Sequence, residues 1–296
     1  MHRDGDGLAK SSAAVLVAAA SCLSVILAAA SGGDRFTFIL LGDRTGGAQP
    51  GVYEQIWQET AAEHPAFVIS CGDSIEGQQD ESAAGQWEEV ERVWTKYRRV
   101  PLYLAPGNHD IWSEASEKLF RQHAGHPPRY SFDYGEAHFT ILDNSRSDEF
   151  SAEDLDFLGK DLKAHAGAAV KLIVSHRPSW ILGAALNNPA FPLHRMARQY
   201  GVRYVIAGHI HQMLRFQLEG ITYLSMPSSG GHLRLSEKYE DGWFYGHARA
   251  DVNGRDVGMQ IEEVKPPRGR GRITRDSDWG AAGLLDRAKA AAQAAR

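Results

Sequence analysis

Residues 105–110 read Ala105-Pro106-Gly107-Asn108-His109-Asp110, and residues 207–211 read Ala207-Gly208-His209-Ile210-His211. Each motif follows a short run rich in branched, apolar and aromatic residues: Leu102–Ala105 and Tyr204–Ala207. Runs of this kind, ended by glycine or proline, read as buried strands. The same text recurs along the chain. Phe36–Leu41 runs into Gly42-Asp43-Arg44-Thr45-Gly46-Gly47, Ala66–Cys71 into Gly72-Asp73-Ser74, and Lys171–Ser175 into His176-Arg177-Pro178. Further strands are expected at His138–Leu142, Thr222–Ser225 and Phe244–Asp251. Helix-like stretches lie at 51–63, 82–98, 113–123, 152–165 and 186–200. Strands alternating with helices predict an α/β core, and the closely spaced later strands predict a second, more antiparallel sheet.

In open α/β sheets, ligands bind in the crevice beyond the carboxyl ends of the strands. Five strand ends carrying Asp43, Asp73, Asn108, His109, His176, His209 and His211 therefore point to one shared crevice. Taken singly, a Gly-Asp after a strand is usually a turn or a helix cap. Taken together, carboxylate, amide oxygen and imidazole form a ligand set for Mn, Fe, Zn or Co that needs no thiolate. Two such ions about 3.5–4 Å apart clamp a phosphoryl group and lower the pKa of a shared water until it is a nucleophile near neutral pH. A bridging aspartate suits such a pair, because one carboxylate can serve two cations.

Composition narrows the alternatives. The chain has 296 residues, 43% of them hydrophobic and 23% charged, which is globular and not disordered. Its net charge of −5 argues against general nucleic-acid binding. Cys22 and Cys71 are the two cysteines, so a disulfide scaffold and a four-cysteine zinc site are both excluded.

The two ends differ from the middle. Arg3 and Lys10 precede an apolar run from Ala13 to Ala30, and Ser31-Gly32-Gly33 follows. Residues 1–33 thus read as a secretory signal peptide or, uncleaved, as an N-terminal anchor. Export to a periplasmic or extracellular space is the expectation, with membrane contact only if the segment is retained. Residues 265–296 hold eight basic and three acidic residues. Pro266-Pro267 reads as the end of a catalytic domain spanning 34–264, residues 268–272 as a solvated spacer, and Leu284 to Ala295 as a short Ala-rich helix.

Over about residues 36–230 the chain resembles the calcineurin-like metallophosphoesterase superfamily. The order is the same: an Asp motif, Gly-Asp, Gly107-Asn108-His109-Asp110, a lone His176, then Gly208-His209-Ile210-His211. Tyr130-Ser131-Phe132-Asp133-Tyr134-Gly135 leading into Phe139–Asp143 is similar to that family's central hairpin. The resemblance implies an α/β fold, a four-layer α/β/β/α sandwich with two central mixed sheets, and a binuclear metal site. It assigns Asp43 and His211 to the first metal, Asp73 to the bridge, and Asn108, His176 and His209 to the second. His109 is then outside the metal shell, oriented by Asp73 or Asp110, and assists the leaving oxygen; imidazole suits this because its pKa lies near working pH. Arg44 and Arg177 are candidate phosphate-binding residues with Asn108 and His109, and His232 is a further pocket candidate.

One departure bears on the first metal. The family's Asp-x-His is here Asp43-Arg44-Thr45, and a threonine hydroxyl is a poor ligand. The purple acid phosphatase branch also lacks that histidine but supplies a tyrosine three residues after the bridging aspartate, where this chain has Glu76. Glu76 is a ligand or an ordinary surface glutamate, and water can complete the site. The expected activity is hydrolysis of a small or macromolecular phosphoric ester, monoester or diester. The competing readings are a phosphate-binding or partner-binding protein of the same fold without turnover, and a surface-anchored interaction protein using the basic tail.

Overall fold

A computed structural model describes residues 35–265, 267, 269–280 and 283–286. The apolar run 13–30 and all but the start of the Ala-rich C-terminal stretch lie outside these residues. Among the described residues no helix is long and apolar enough to cross a membrane.

The first half of the chain contributes β1 (Arg35–Leu41), α1 (Val52–Ala62), β2 (Phe67–Ser70), α2 (Asp80–Tyr97), β3 (Leu102–Leu104) and α3 (Glu114–Ala124). A hairpin of β4 (Tyr130–Tyr134) and β5 (Ala137–Ile141) follows, then α4 (Ala152–Ala164), β6 (Val170–Val174), α5 (Ile181–Ala185), α6 (Pro192–Gln199) and β7 (Tyr204–Ala207). The chain continues with β8 (Leu214–Leu218), β9 (Ile221–Ser225), β10 (Gly246–Asn253), β11 (Asp256–Val264) and β12 (Arg270–Arg275).

These strands form two six-stranded mixed sheets, ordered β12-β11-β10-β1-β2-β3 and β4-β5-β6-β7-β9-β8. In β1 every residue from Phe38 to Leu41 is buried, because both faces of the sheet are covered. Phe38 and Leu40 face the second sheet, while Ile39 and Leu41 face α1 and α2. Aromatic rings fill the space between the sheets: Phe38 stacks on Phe67 at 5.1 Å, and Phe139 meets Phe67 edge-on at 5.3 Å. A third apolar cluster lies under α4 and α6 on the far side of the second sheet. Helices, sheet, sheet and helices therefore form four layers, as the resemblance implied.

Three features differ from the sequence reading. The expected helix over 186–200 begins only at Pro192, which occupies the first turn; Asn187-Asn188-Pro189 before it is a loop, and the separate short α5 precedes that. The strands β8 and β11 were not anticipated, since both carry charged residues on a partly exposed face. The domain also does not end at 264. β12 pairs antiparallel with β11, and beyond it Trp279 is fully buried against Tyr239 and Phe244. The stretch read as a solvated spacer contributes the start of an edge strand. Arg-Gly repeats hide such a strand in the sequence, because exposed edge strands commonly carry charge.

Candidate metal centre

Parallel pairing of β1, β2 and β3, and of β5, β6 and β7, sets their carboxyl ends side by side. Asp43, Asp73, Asn108, His109, His176, His209 and His211 all emerge from those ends and converge. Three of them hold left-handed backbone: Asp73 at φ 57°, His209 at φ 72° and His211 at φ 60°. Such conformations cost non-glycine residues on the order of 1–3 kcal/mol and persist only where neighbours enforce them. Glycines make room at the closest approaches. A Cβ on Gly107 would lie 2.1 Å from Asp73 Oδ1, and one on Gly208 would lie 2.4 Å from Asp43 Oδ1.

His176 is at the centre. Its ring is fully buried, and Nδ1–H donates to the Cys71 carbonyl at 2.9 Å. Its Nε2 then faces three acceptors: Asp73 Oδ2 at 3.2 Å, Asn108 Oδ1 at 3.1 Å and His209 Nδ1 at 3.1 Å. Burial alone lowers an imidazole pKa, but the Asp73 carboxylate outweighs it and raises His176 to about 9. The Asp73 carboxyl is raised by burial, yet the His176 charge and the His109 amide hold it well below the usual range. His209 is depressed to about 4 by burial and by its charged neighbour. In the metal-free protein a proton on His176 Nε2 thus occupies the middle of an O₂N₂ cradle.

A second group adjoins it. Asp43 is fully buried and accepts the His209 amide on both oxygens, at 2.8 and 3.0 Å. The His211 ring donates Nδ1–H to the His232 carbonyl at 2.8 Å. Its Nε2 is buried, lies 3.3 Å from Asp43 Oδ2 and has no hydrogen-bond partner. Both groups fit divalent ions. The donors are of the right types, the far nitrogens of His176 and His211 are each fixed by a carbonyl, and one buried nitrogen lacks any partner. Cys71 is no ligand candidate, since burial and nearby Asp43 push its thiol far above its ordinary value.

Other expected residues are placed differently. The Asp110 carboxylate is buried and accepts from the backbone amides of Ser74, Ile75 and Gly107, so it ties two strand-end loops together and does not touch the His109 ring. His109 is oriented by its amide bond to Asp73 Oδ1, at 2.8 Å, and by Nδ1–H donation to the Glu76 carbonyl. Because a carbonyl only accepts, Nδ1 carries the proton and Nε2 is left for other partners. Arg44 turns away from the crevice: it donates to the Ser74 carbonyl and to Glu89 Oε1 at 2.6 Å. Arg177 is at the rim, held by Asp148 and the Ser145 carbonyl. The Thr45 hydroxyl is buried on the Asp73 and Ile75 carbonyls, and the Glu76 carboxylate caps the amides of Gly46, Gly47 and Ala48. Neither side chain is aimed as a ligand.

Two supports were not read from the sequence. Asn144 Oδ1 accepts the amides of His176 and Arg177, and Ser229 Oγ accepts the Gly42 amide. Both follow strands, β5 and β9, so the strand-end pattern that exposed the ligand candidates extends to them.

The calcineurin-like phosphoesterase family profile matches residues 36–213, and the chain belongs to this family. The chain is 31% identical over 140 residues to a 3',5'-cyclic-nucleotide phosphodiesterase of Nostoc sp., over 44% of this chain and 52% of that one. It is 28% identical over 173 residues to the 3',5'-cyclic adenosine monophosphate phosphodiesterase CpdA of Escherichia coli, over 55% and 60%. It therefore spans less than two thirds of these relatives. The purple acid phosphatase PPD1 from yellow lupin shares the fold, with a TM-score of 0.59 at 16% identity, covering 86% of this chain and 53% of that one.

Proposed function

We propose that this chain hydrolyses phosphoric esters with two divalent or trivalent metal ions, drawn from Mn, Fe, Zn and Co. The observation that carries this is the cradle in which Asp73, Asn108 and His209 surround His176 Nε2 at 3.1–3.2 Å, with Asp43 and His211 beside it. Asn108, His176 and His209 would hold one ion and Asp43 and His211 the other, with Asp73 available to both. Bound ions supply positive charge to the phosphoryl oxygens and acidify a water to a nucleophile.

The chain's own residues do the rest. In its imidazolium form His109 would keep Nδ1–H on the Glu76 carbonyl and give its Nε2 proton to the leaving oxygen, returning to the neutral ring. Arg177 at the rim and Arg234, which donates to the His209 carbonyl at 2.9 Å, offer guanidinium donors to a substrate phosphate. Similarity to two cyclic-nucleotide phosphodiesterases makes a phosphodiester the first class to test. Residues 1–33 are proposed to direct export, which N-terminal mass analysis of the secreted chain checks.

The test compares metal-loaded wild type, Asp73→Asn and His209→Ala on bis(p-nitrophenyl) phosphate, p-nitrophenyl phosphate and 3',5'-cyclic AMP. Turnover lost in both variants, with unchanged thermal unfolding, is the expected result. Wild-type turnover in both variants refutes the assignment. A folded, metal-loaded wild type inactive on every ester supports instead a binding protein of the same fold.

A further inference from the structure

At the opposite ends of the strands, far from the crevice, β4, β5 and α4 bring a second set of ligating groups together. His138 on β5 is fully buried. Its Nε2 lies 2.9 Å from Asp161 Oδ2, and its Nδ1 lies 2.7 Å from Asp133 Oδ1. Asp161 is itself held by the hydroxyls of Thr140 and Ser131, at 2.6 and 2.7 Å. His165, one residue past α4, is anchored to the same aspartate: Nδ1 is 2.9 Å from the Asp161 carbonyl and 3.3 Å from Oδ1. Both histidines thus have one nitrogen fixed by Asp161. Their other nitrogens face Asp133, His138 Nδ1 at 2.7 Å and His165 Nε2 at 3.8 Å. One ligand atom from each of Asp133, His138 and His165 falls within 4.8 Å of the others.

We propose that Asp133, His138 and His165 form a non-catalytic site for a zinc-type divalent ion, with Asp161 as its outer support. Two imidazoles, one carboxylate and an open position for water match the ligand types and number of a four-coordinate zinc site. A carboxylate holding the far nitrogen of a ligating histidine is the usual bracing of such sites. Entry is open, because the Asp133 and His165 side chains are 46% and 34% exposed while His138 lies beneath them. Loading replaces the proton between His138 and Asp133, and Asp133 Oδ1 moves out to the spacing of about 3.3 Å that bonds near 2.0 Å require. The two rings stack at 3.7 Å with 12° between planes, so His165 must turn about its Cβ–Cγ bond to point at the ion, giving up its Nδ1 contact with Asp161 and leaving His138 as the ligand that Asp161 braces. The loaded site would clamp the β4–β5 hairpin, which ends the second sheet, to the end of α4.

The test strips the full chain with chelator, dialyses it against Zn²⁺, and compares wild type with His165→Ala, Asp133→Asn and His209→Ala. The first two change a half-buried and an exposed group and leave His138 and Asp161 in place; with two of them, a folding defect in one leaves the other to decide. Expected are about one zinc fewer per chain in His165→Ala and Asp133→Asn, and phosphoesterase turnover as in wild type. Zinc should slow amide exchange over residues 130–141 and 160–165 in wild type and His209→Ala, but not in His165→Ala. Equal zinc content in wild type and both surface variants, or hairpin exchange indifferent to zinc in wild type, overturns the proposal.

Discussion

Metal binding at the strand-end crevice should depend steeply on pH, and His176 sets the slope. A metal ligand must be a neutral imidazole. In the metal-free protein His176 holds its proton up to about pH 9, because Asp73 lies 3.2 Å from Nε2 and outweighs the cost of burial. At pH 7 the proton therefore occupies the site far more often than it is vacant, a competition on the order of 3 kcal/mol. The sign is fixed: the raised folded-state pKa disfavours metal below about pH 9, so apparent affinity rises with pH and levels off above that value. Each unit from pH 6 to pH 8 should tighten binding about tenfold from this proton alone. Equilibrium dialysis of the stripped chain against Mn²⁺ at pH 6, 7 and 8 measures the slope. Calorimetry in buffers of different ionisation enthalpy should register proton release on binding, about one of those protons coming from His176. In His176→Asn the slope should flatten as overall affinity falls. An affinity that is flat from pH 6 to pH 8 in wild type would refute the cradle reasoning.

Gly208→Ala should weaken metal binding by about 10–100-fold without unfolding the chain, because its Cβ would meet Asp43 Oδ1 at 2.4 Å; dialysis with a parallel circular-dichroism melt checks both halves. Asp110→Ala should lower stability by on the order of 3–5 kcal/mol, since it strands the amides of Ser74, Ile75 and Gly107, while Asp110→Asn, which keeps an acceptor, should lose less. Trp279→Ala should cost about 3–5 kcal/mol in urea unfolding, because the indole is fully buried and donates to Thr274 Oγ1 at 3.1 Å. An unchanged midpoint there would show that the segment after β12 is not part of the folded unit.

The strand-end residues were legible because their signal is local. A buried parallel strand must be apolar on both faces, so the first polar residues after it are conspicuous, and glycine beside them marks close approach. Asp43, Asp73, Asn108, His109, His176, His209 and His211 could be grouped without coordinates for that reason. The departure at Thr45 was equally visible, but what the threonine does was not. Its hydroxyl is satisfied by carbonyls near Asp73, 28 and 30 residues away.

Long-range partners decided everything else. Arg44 and Asp110 sit beside ligand candidates in the chain, yet Arg44 is drawn to Glu89 on α2 and Asp110 to amides in another strand-end loop. No local pattern states which way a side chain next to a site will turn. The same holds for Asn144 under His176, for Ser229 under Gly42 across 187 residues, and for the hairpin cluster that Asp161 gathers. It holds too for β12, whose Arg-Gly text becomes a strand only because β11 offers it an open edge. Residue type and periodicity carried the sequence of strands and the chemistry at their ends. Side-chain orientation, support and domain extent came from packing between segments remote in the chain, where hydrogen-bond satisfaction and burial choose among alternatives that the sequence leaves equal.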